Sequence, residues 1–401
     1  MRFKSEQLLN KSYFLIFILL PFSTSVDMGA VLNIGFLLHL IFIPFHLSYF
    51  CVNVNNIKLD SNSSVFIVLL LFLVFCVFLT LNWSESLGAS SLRGSYILSS
   101  VFIYFSFLSV KNKQKYIEKM LVSINYFVMI LSLYFIINFL MSVLSIGLAK
   151  TVTERFVGGA MSLPWGASNI ISVVLLSGLG TLIIAECILK KKVNNKIIIL
   201  ISIAVLLTLS RTGTLILIFS TTLLLLSRAS LIKSMFFSFL AIILTPSLIF
   251  IAYSSLSSFD FLENRYSTSN FSSMNGRGEI WSNYISLINQ DPLNLHGFYG
   301  ALATESYTPH NIFISFYYDL GIVGFLLLVF MLFFISKLIL KSVLKCSFSR
   351  EPFKYLTIIL IPLMLLLNLS FEDGIYVPAT WYMLFSLVVL FQYSGSKHAH
   401  A

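Results

Sequence analysis

The segment "TPHNIFISFYYDLGIVG", Thr308 to Gly324, decides how the chain is read. It sets a histidine and an asparagine directly before an apolar run that continues to residue 336. Apolar runs of roughly 20 residues cross a bilayer, at about 1.5 Å of rise per residue. His310 therefore stands at the mouth of a predicted membrane helix. If Asn311 opens that helix, then Ile314, Tyr317, Gly321 and Gly324 fall near the histidine's face, at offsets of four, seven, eleven and fourteen. The two glycines are expected to let a neighbouring helix approach closely.

The same pattern extends over the rest of the chain. Twelve apolar spans are expected: 12–27, 30–51, 63–82, 94–110, 120–147, 167–189, 197–210, 212–227, 234–253, 310–336, 355–370 and 379–393. The seventh and eighth are short and only "SRTG" separates them, so they also read as one broken hairpin. Of the 401 residues, 58% are hydrophobic and 10% charged, against about 25% charged in soluble domains. Mean hydropathy is +0.92. These values predict an all-α integral membrane protein, with residues 1–401 forming a single polytopic domain. The basic, apolar N-terminus lacks a small-x-small cleavage site and is expected to be a retained first helix. The four cysteines imply neither a disulfide framework nor a thiolate metal site.

Basic residues orient the chain. With both termini in the cytoplasm, 20 of the 26 lysines and arginines fall in inner segments. That bias accounts for the net charge of +10 without a nucleic-acid partner. The outer six are Arg93, Lys150, Arg155, Arg211, Arg265 and Arg277. Five of the chain's eight arginines are thus external, but only one of its eighteen lysines. Arginine presents a permanently charged planar fork suited to phosphate and carboxylate oxygens, which points to an anionic ligand at the outer face. The plainer explanation is pairing with outer acids such as Glu85, Glu154 and Glu263.

One connection is long. Residues 254–309, between the ninth and tenth spans, form a large extracytoplasmic loop. Within it Ile280, Trp281, Tyr284, Ile285 and Ile288 fit one face of an amphipathic helix that Asp291-Pro292 stops. This helix is expected to lie on the membrane surface or over the bundle. In "LTLSRTGTLILIF", Arg211 sits between two apolar runs, where an ionised side chain costs about 2.5–3.5 kcal/mol on insertion scales and so marks a functional candidate. A salt bridge to Asp319 or Glu372 is the structural alternative.

Four features at these residues together resemble the O-antigen ligase and O-antigen polymerase family of bacterial envelope polysaccharide enzymes. His310-Asn311, nine residues, then Gly321-Ile322-Val323-Gly324 is similar to that family's His-Asn-x9-Gly-x-x-Gly signature. "NGRGEIW" around Arg277 resembles its Gly-Arg-x-x-x-Trp segment, and "SRTG" around Arg211 its Ser-Arg-Ser/Thr-Gly turn. "LPWGASN", ending at Asn169, resembles the entry to its middle helices.

The resemblance implies a GT-C-like membrane glycosyltransferase, metal-independent and inverting, in the bacterial cytoplasmic (inner) membrane with its active site facing the periplasm. Its donor is a glycan on undecaprenyl diphosphate; its acceptor is another lipid-linked glycan (polymerase) or lipid A–core (ligase). No cofactor is expected, and a chain-length regulator is a further partner. Arg211 and Arg277 are the candidates for gripping the diphosphate, and His310 for accepting or orienting the acceptor's proton. Arg265, Asn311, Tyr317 and Trp281 are the candidate substrate-binding residues. A transporter of lipid-linked oligosaccharides is the alternative from another class. The site residues would then line a central path instead of gathering at one face.

Overall fold

The computed structural model describes residues 44, 47, 50–51, 53–57, 61–84, 87–148, 150–151, 168–229, 277–293, 295–300, 308–344, 351–371 and 376–396. Ten helices organise them: α1 (Ser61–Leu79), α2 (Leu87–Ser109), α3 (Lys113–Ile146), α4 (Ser168–Leu189) and α5 (Asn195–Leu207), then α6 (Arg211–Arg228), α7 (Arg277–Gln290), α8 (Ile312–Val343), α9 (Pro352–Leu369) and α10 (Pro378–Ser396). No strand occurs among the described residues. Five helices are long and apolar enough to cross a membrane, namely Ser63–Trp83, Lys113–Ile146, Asn169–Leu189, Ile312–Val343 and Pro352–Leu369. Two shorter ones, Asn195–Leu207 and Ala379–Ser394, are also apolar. The protein is thus a multi-pass helical membrane protein. Of the twelve expected spans, 12–27 and 234–253 lie outside the described residues, as does most of 30–51. The seventh and eighth are separate helices, broken at Thr208–Ser210 where Leu209 takes φ 53°.

Side-chain contacts fix the direction of each helix. Arg228, closing α6, donates to Glu186 near the end of α4 at 2.7 and 2.6 Å and to Asn195 at the start of α5 at 2.6 Å. Thr357, early in α9, donates to the Leu223 carbonyl late in α6 at 3.4 Å, so α9 runs antiparallel to α6. Ser342 of α8 donates to the Phe391 carbonyl of α10 at 3.3 Å, so those two helices run parallel. Gln392 of α10 donates to Ser63 at the start of α1 at 2.8 Å. One end of the bundle therefore carries the starts of α1, α3, α5 and α9, with Lys113, Lys196 and Lys354. The other carries the starts of α2, α4, α6, α8 and α10, with Arg93, Arg211 and His310. The basic residues of the described part sort between two ends as their spacing predicts.

Helix α4 is the axle: 94% of its span is buried inside the protein. Helices α3, α5, α6, α9 and α10 pack around it. Two glycines in "SGLGT" permit this. A Cβ at Gly178 would run into the Val128 side chain of α3, and one at Gly180 would lie 2.9 Å from Leu365 of α9. Small residues at such crossings let apolar helices gain van der Waals contact that lipid does not supply.

Gly178→Leu is expected to destabilise the bundle by about 1–3 kcal/mol through overpacking against Val128, read as a lower thermal midpoint in detergent. Removing the carboxylate with Glu186→Ala is expected to lower that midpoint too. Its loss leaves the Arg228 guanidinium without its two-pronged partner, by about 2 kcal/mol. Unchanged midpoints would count against this packing.

Candidate functional site

The site is built at the arginine end, around two helix starts. At the first, Asn311 caps α8, its Oδ1 accepting from the N–H groups of Phe313 at 2.9 Å and Ile314 at 3.3 Å. This satisfies two of the donors a helix start leaves open. His310, just before the cap, is half-buried and held at φ 49°. A non-glycine residue there stores about 1–3 kcal/mol of strain, and such residues cluster at functional sites. At the second start, Ser210 caps α6 by accepting from the Gly213 N–H at 3.1 Å, and Arg211 is the first residue of the helix. Leu209, directly before this cap, is also left-handed. A Cβ at Gly213 would lie 2.8 Å from Ser172 Oγ, so this glycine lets α6 rest against the first turn of α4.

Helix α7 ties the first start down. The Trp281 indole N–H donates to the Pro309 carbonyl at 2.8 Å, beside His310. Tyr284, fully buried, meets Tyr318 of α8 edge-on with ring centroids 4.9 Å apart. Ile280, Leu287, Ile288 and Ile314 pack around this pair. Of the two placements open to the amphipathic helix, the structure shows the one over the bundle. Arg277 opens α7 one turn before Trp281, on the same side of the molecule as His310. The Trp281 ring also lies 5.9 Å from Phe371 at the end of α9. Helix α9 in turn packs along α6, which links the His310 cluster to the Arg211 helix.

Two expectations are corrected. Ile285 is 49% exposed and Leu287 takes its place on the packed face, because the helix presents residues 280, 284, 287 and 288 to α8. The Tyr317 ring sits 5.7 Å from Phe325, and its neighbour Tyr318 receives α7. Gly321 does not continue a regular helix. It breaks α8 with φ 65° and ψ −168°, a conformation open essentially to glycine alone. Gly324 follows the break tucked under Leu320, where a Cβ would collide with that side chain. The face reading assumed an unbroken helix. Arg265, Glu372 and the loop residues 254–276 and 301–307 lie outside the described residues.

The sequence reading passed over several residues that build this end. Asp319 is fully buried. Its Oδ2 accepts from the Tyr376 hydroxyl at 2.8 Å and the Tyr299 N–H at 2.9 Å, and its backbone carbonyl accepts from the Gly297 N–H at 3.0 Å. It was considered only as a counter-ion, although a carboxylate inside an apolar run is a signal in itself. His296 stacks on Tyr318 with centroids 4.0 Å apart. The Arg93 guanidinium lies 4.9 Å from the centre of the Tyr299 ring and 5.7 Å from that of Tyr96. Among the described residues, no three His, Cys, Asp or Glu side chains form a group that could hold a metal ion.

The fold is that of a multi-pass membrane protein, with Arg93, Arg211 and His310 at one end of its bundle and Arg228 at the other. Residues 197–329 match a family model described as O-Antigen ligase. The match takes in α5, α6, α7 and the first part of α8, and with them Arg211, Arg277, Trp281, His310 and Asn311. It supports the O-antigen ligase/polymerase family and a function of that type. No curated protein matches the chain.

Asn311→Ala is expected to remove the cap, lowering stability by about 1 kcal/mol, and to reduce activity further by releasing His310. Asn311→Asp keeps the acceptor and is expected to stay close to wild type in both. Thermal unfolding and a transfer assay check this; equal behaviour of the two variants would remove the cap from the account.

Proposed function

We propose that the chain is a glycosyltransferase that joins polysaccharide repeat units at the outer face of the bacterial cytoplasmic membrane. Its donor is a glycan on undecaprenyl diphosphate, and its acceptor is the next lipid-linked unit. The observation that carries this reading is the junction at His310: a strained histidine fixed by Trp281 to the helix that Arg277 opens. It lies at the same end of the bundle as Arg211. That gathering favours an enzyme over a transporter, whose charged groups would line a path through the middle.

The chemistry follows from the residue types. The acceptor hydroxyl oxygen attacks the anomeric carbon from the face opposite the diphosphate. The new glycosidic C–O bond forms as the C–O bond to phosphate breaks, and undecaprenyl diphosphate leaves with the electron pair. Arg211 and Arg277 meet the charge that develops on it, which fixed cations do without reorganising. His310, whose reference pKa is about 6.5, accepts the hydroxyl proton or orients the hydroxyl while water takes it. Trp281 and Asn311 hold the histidine's turn. Arg265 and Tyr317 remain candidates for sugar contact.

The description of the matched family favours a second reading, ligation of the finished chain to lipid A–core. Donor, site and chemistry are shared, and only the acceptor differs. Deletion of the gene followed by a lipopolysaccharide gel separates the two. Core bearing a single repeat is expected for a lost polymerase; bare core, with long chains still on the carrier, marks a lost ligase. His310→Ala and Arg277→Ala are each expected to reproduce the deletion phenotype while inserting into the membrane at wild-type levels. Normal glycan ladders from both variants would overturn the site.

A further inference from the structure

Asn368, near the end of α9, is a fully enclosed polar side chain. It is 0% exposed, and neither its amide nitrogen nor its amide oxygen has a hydrogen-bond partner. A buried amide left without partners costs on the order of 1–3 kcal/mol, and buried polar groups are almost always paired. A leucine here would pack without that cost. What Asn368 faces follows from helix register. Thr357 of α9 touches the Leu223 carbonyl of α6. Asn368 lies eleven residues further along α9, about three full turns, so it shares the face that Thr357 turns to α6. The two helices are antiparallel, and eleven residues back from Leu223 lies Thr212, in the first turn of α6 beside Arg211. One turn beyond Asn368, Phe371 meets Trp281 on the His310 side. A second buried amide oxygen without a partner, Asn169 Oδ1, lies at the start of α4, three residues before the Ser172 that meets Gly213 of α6. The end of α9 thus touches both parts of the site, with an unsatisfied carboxamide on its Arg211 side.

We propose that Asn368 is a further substrate contact, its amide N–H donating to an oxygen of the diphosphate that Arg211 grips. This rests on the reading of the site as a lipid-diphosphate site. A carboxamide suits the place: it donates to an anion but carries no charge to be buried when the substrate is away. It is buried near the end of α9 on the face that Thr357 turns to α6, and the bond forms when the head group reaches that face. The amide's cost in the free protein is then recovered only with substrate bound, a stability–function trade-off common at binding sites.

The test uses the full-length protein in nanodiscs and undecaprenyl diphosphate as the probe, with affinity and thermal midpoint read on the same samples. Asn368→Leu is expected to keep or raise the midpoint while weakening binding about tenfold or more, the range for a hydrogen bond to a charged group. Asn368→Ser shortens the side chain past reach and is expected to weaken binding similarly; it decides the matter if the leucine variant does not fold. Wild-type affinity in the folded variants would overturn the proposal and leave Asn368 a buried polar defect. Arg211→Ala is measured alongside. If it weakens binding while the Asn368 variants do not, only the Asn368 assignment falls. If it too binds normally, the diphosphate reading of the site falls with it.

Discussion

One buried carboxylate organises the arginine end of this protein. Asp319 sits inside an apolar helix, fully buried, where an unpaired charge would be prohibitive. It is tolerated because separate segments bring donors to it: Tyr299 from the stretch before α8 and Tyr376 from the connection into α10. The backbone carbonyl of the same residue holds Gly297. One residue therefore fixes two connections onto α8, just before the break at Gly321. His310 lies just before that same half of α8, so its position depends on this anchor as well as on the Asn311 cap and on Trp281.

Much of this was legible in the sequence, and the misses have physical reasons. Apolar runs located the ends of the described bundle helices to within about three residues, except at the starts of α2 and α3 and the end of α8, where the helices run about two turns further. The Asp291-Pro292 stop agrees with α7 ending at Gln290. The motif residues Arg211, Arg277 and His310 stand at or just before the starts of α6, α7 and α8. What failed was detail that depends on a backbone break or a neighbour. An unbroken helix would carry Gly321 and Gly324 on the face of His310, and the break at Gly321 ends that register. Amphipathic periodicity in α7 gives a face but not its docking partner, so Ile285 and Leu287 were exchanged. The left-handed turns at Leu209 and His310 leave no trace in residue type, since neither residue is glycine.

Those turns show where the fold concentrates its strain. Among the described residues, four that are not glycine have positive φ: Lys190, Leu209, Tyr299 and His310. Lys190 follows the end of α4, an ordinary place for a left-handed residue. The other three are at the arginine end: two directly before helix caps, and Tyr299 beside Arg93 and Asp319. The opposite end is relaxed by comparison. There Arg228 satisfies the ends of α4, α5 and α6 at once through Glu186, Asn195 and the Val193 carbonyl. One end is locked by a charge-assisted knot, and the other is held in tension by packing.

The enclosure of α4 has a consequence for how the protein meets its surroundings. Helices α1 and α3 turn Val68, Phe75, Ile137 and Met141 outward and have room to adjust. A lipid-facing helix answers a thicker or thinner bilayer by tilting. Helix α4 has no such freedom, because any tilt disturbs five neighbours at once. The arginine turn of α6 rests on it through Gly213 and Ser172. Changes in membrane thickness or composition are thus absorbed at the periphery, and the chemistry is insulated from the fluid that surrounds it.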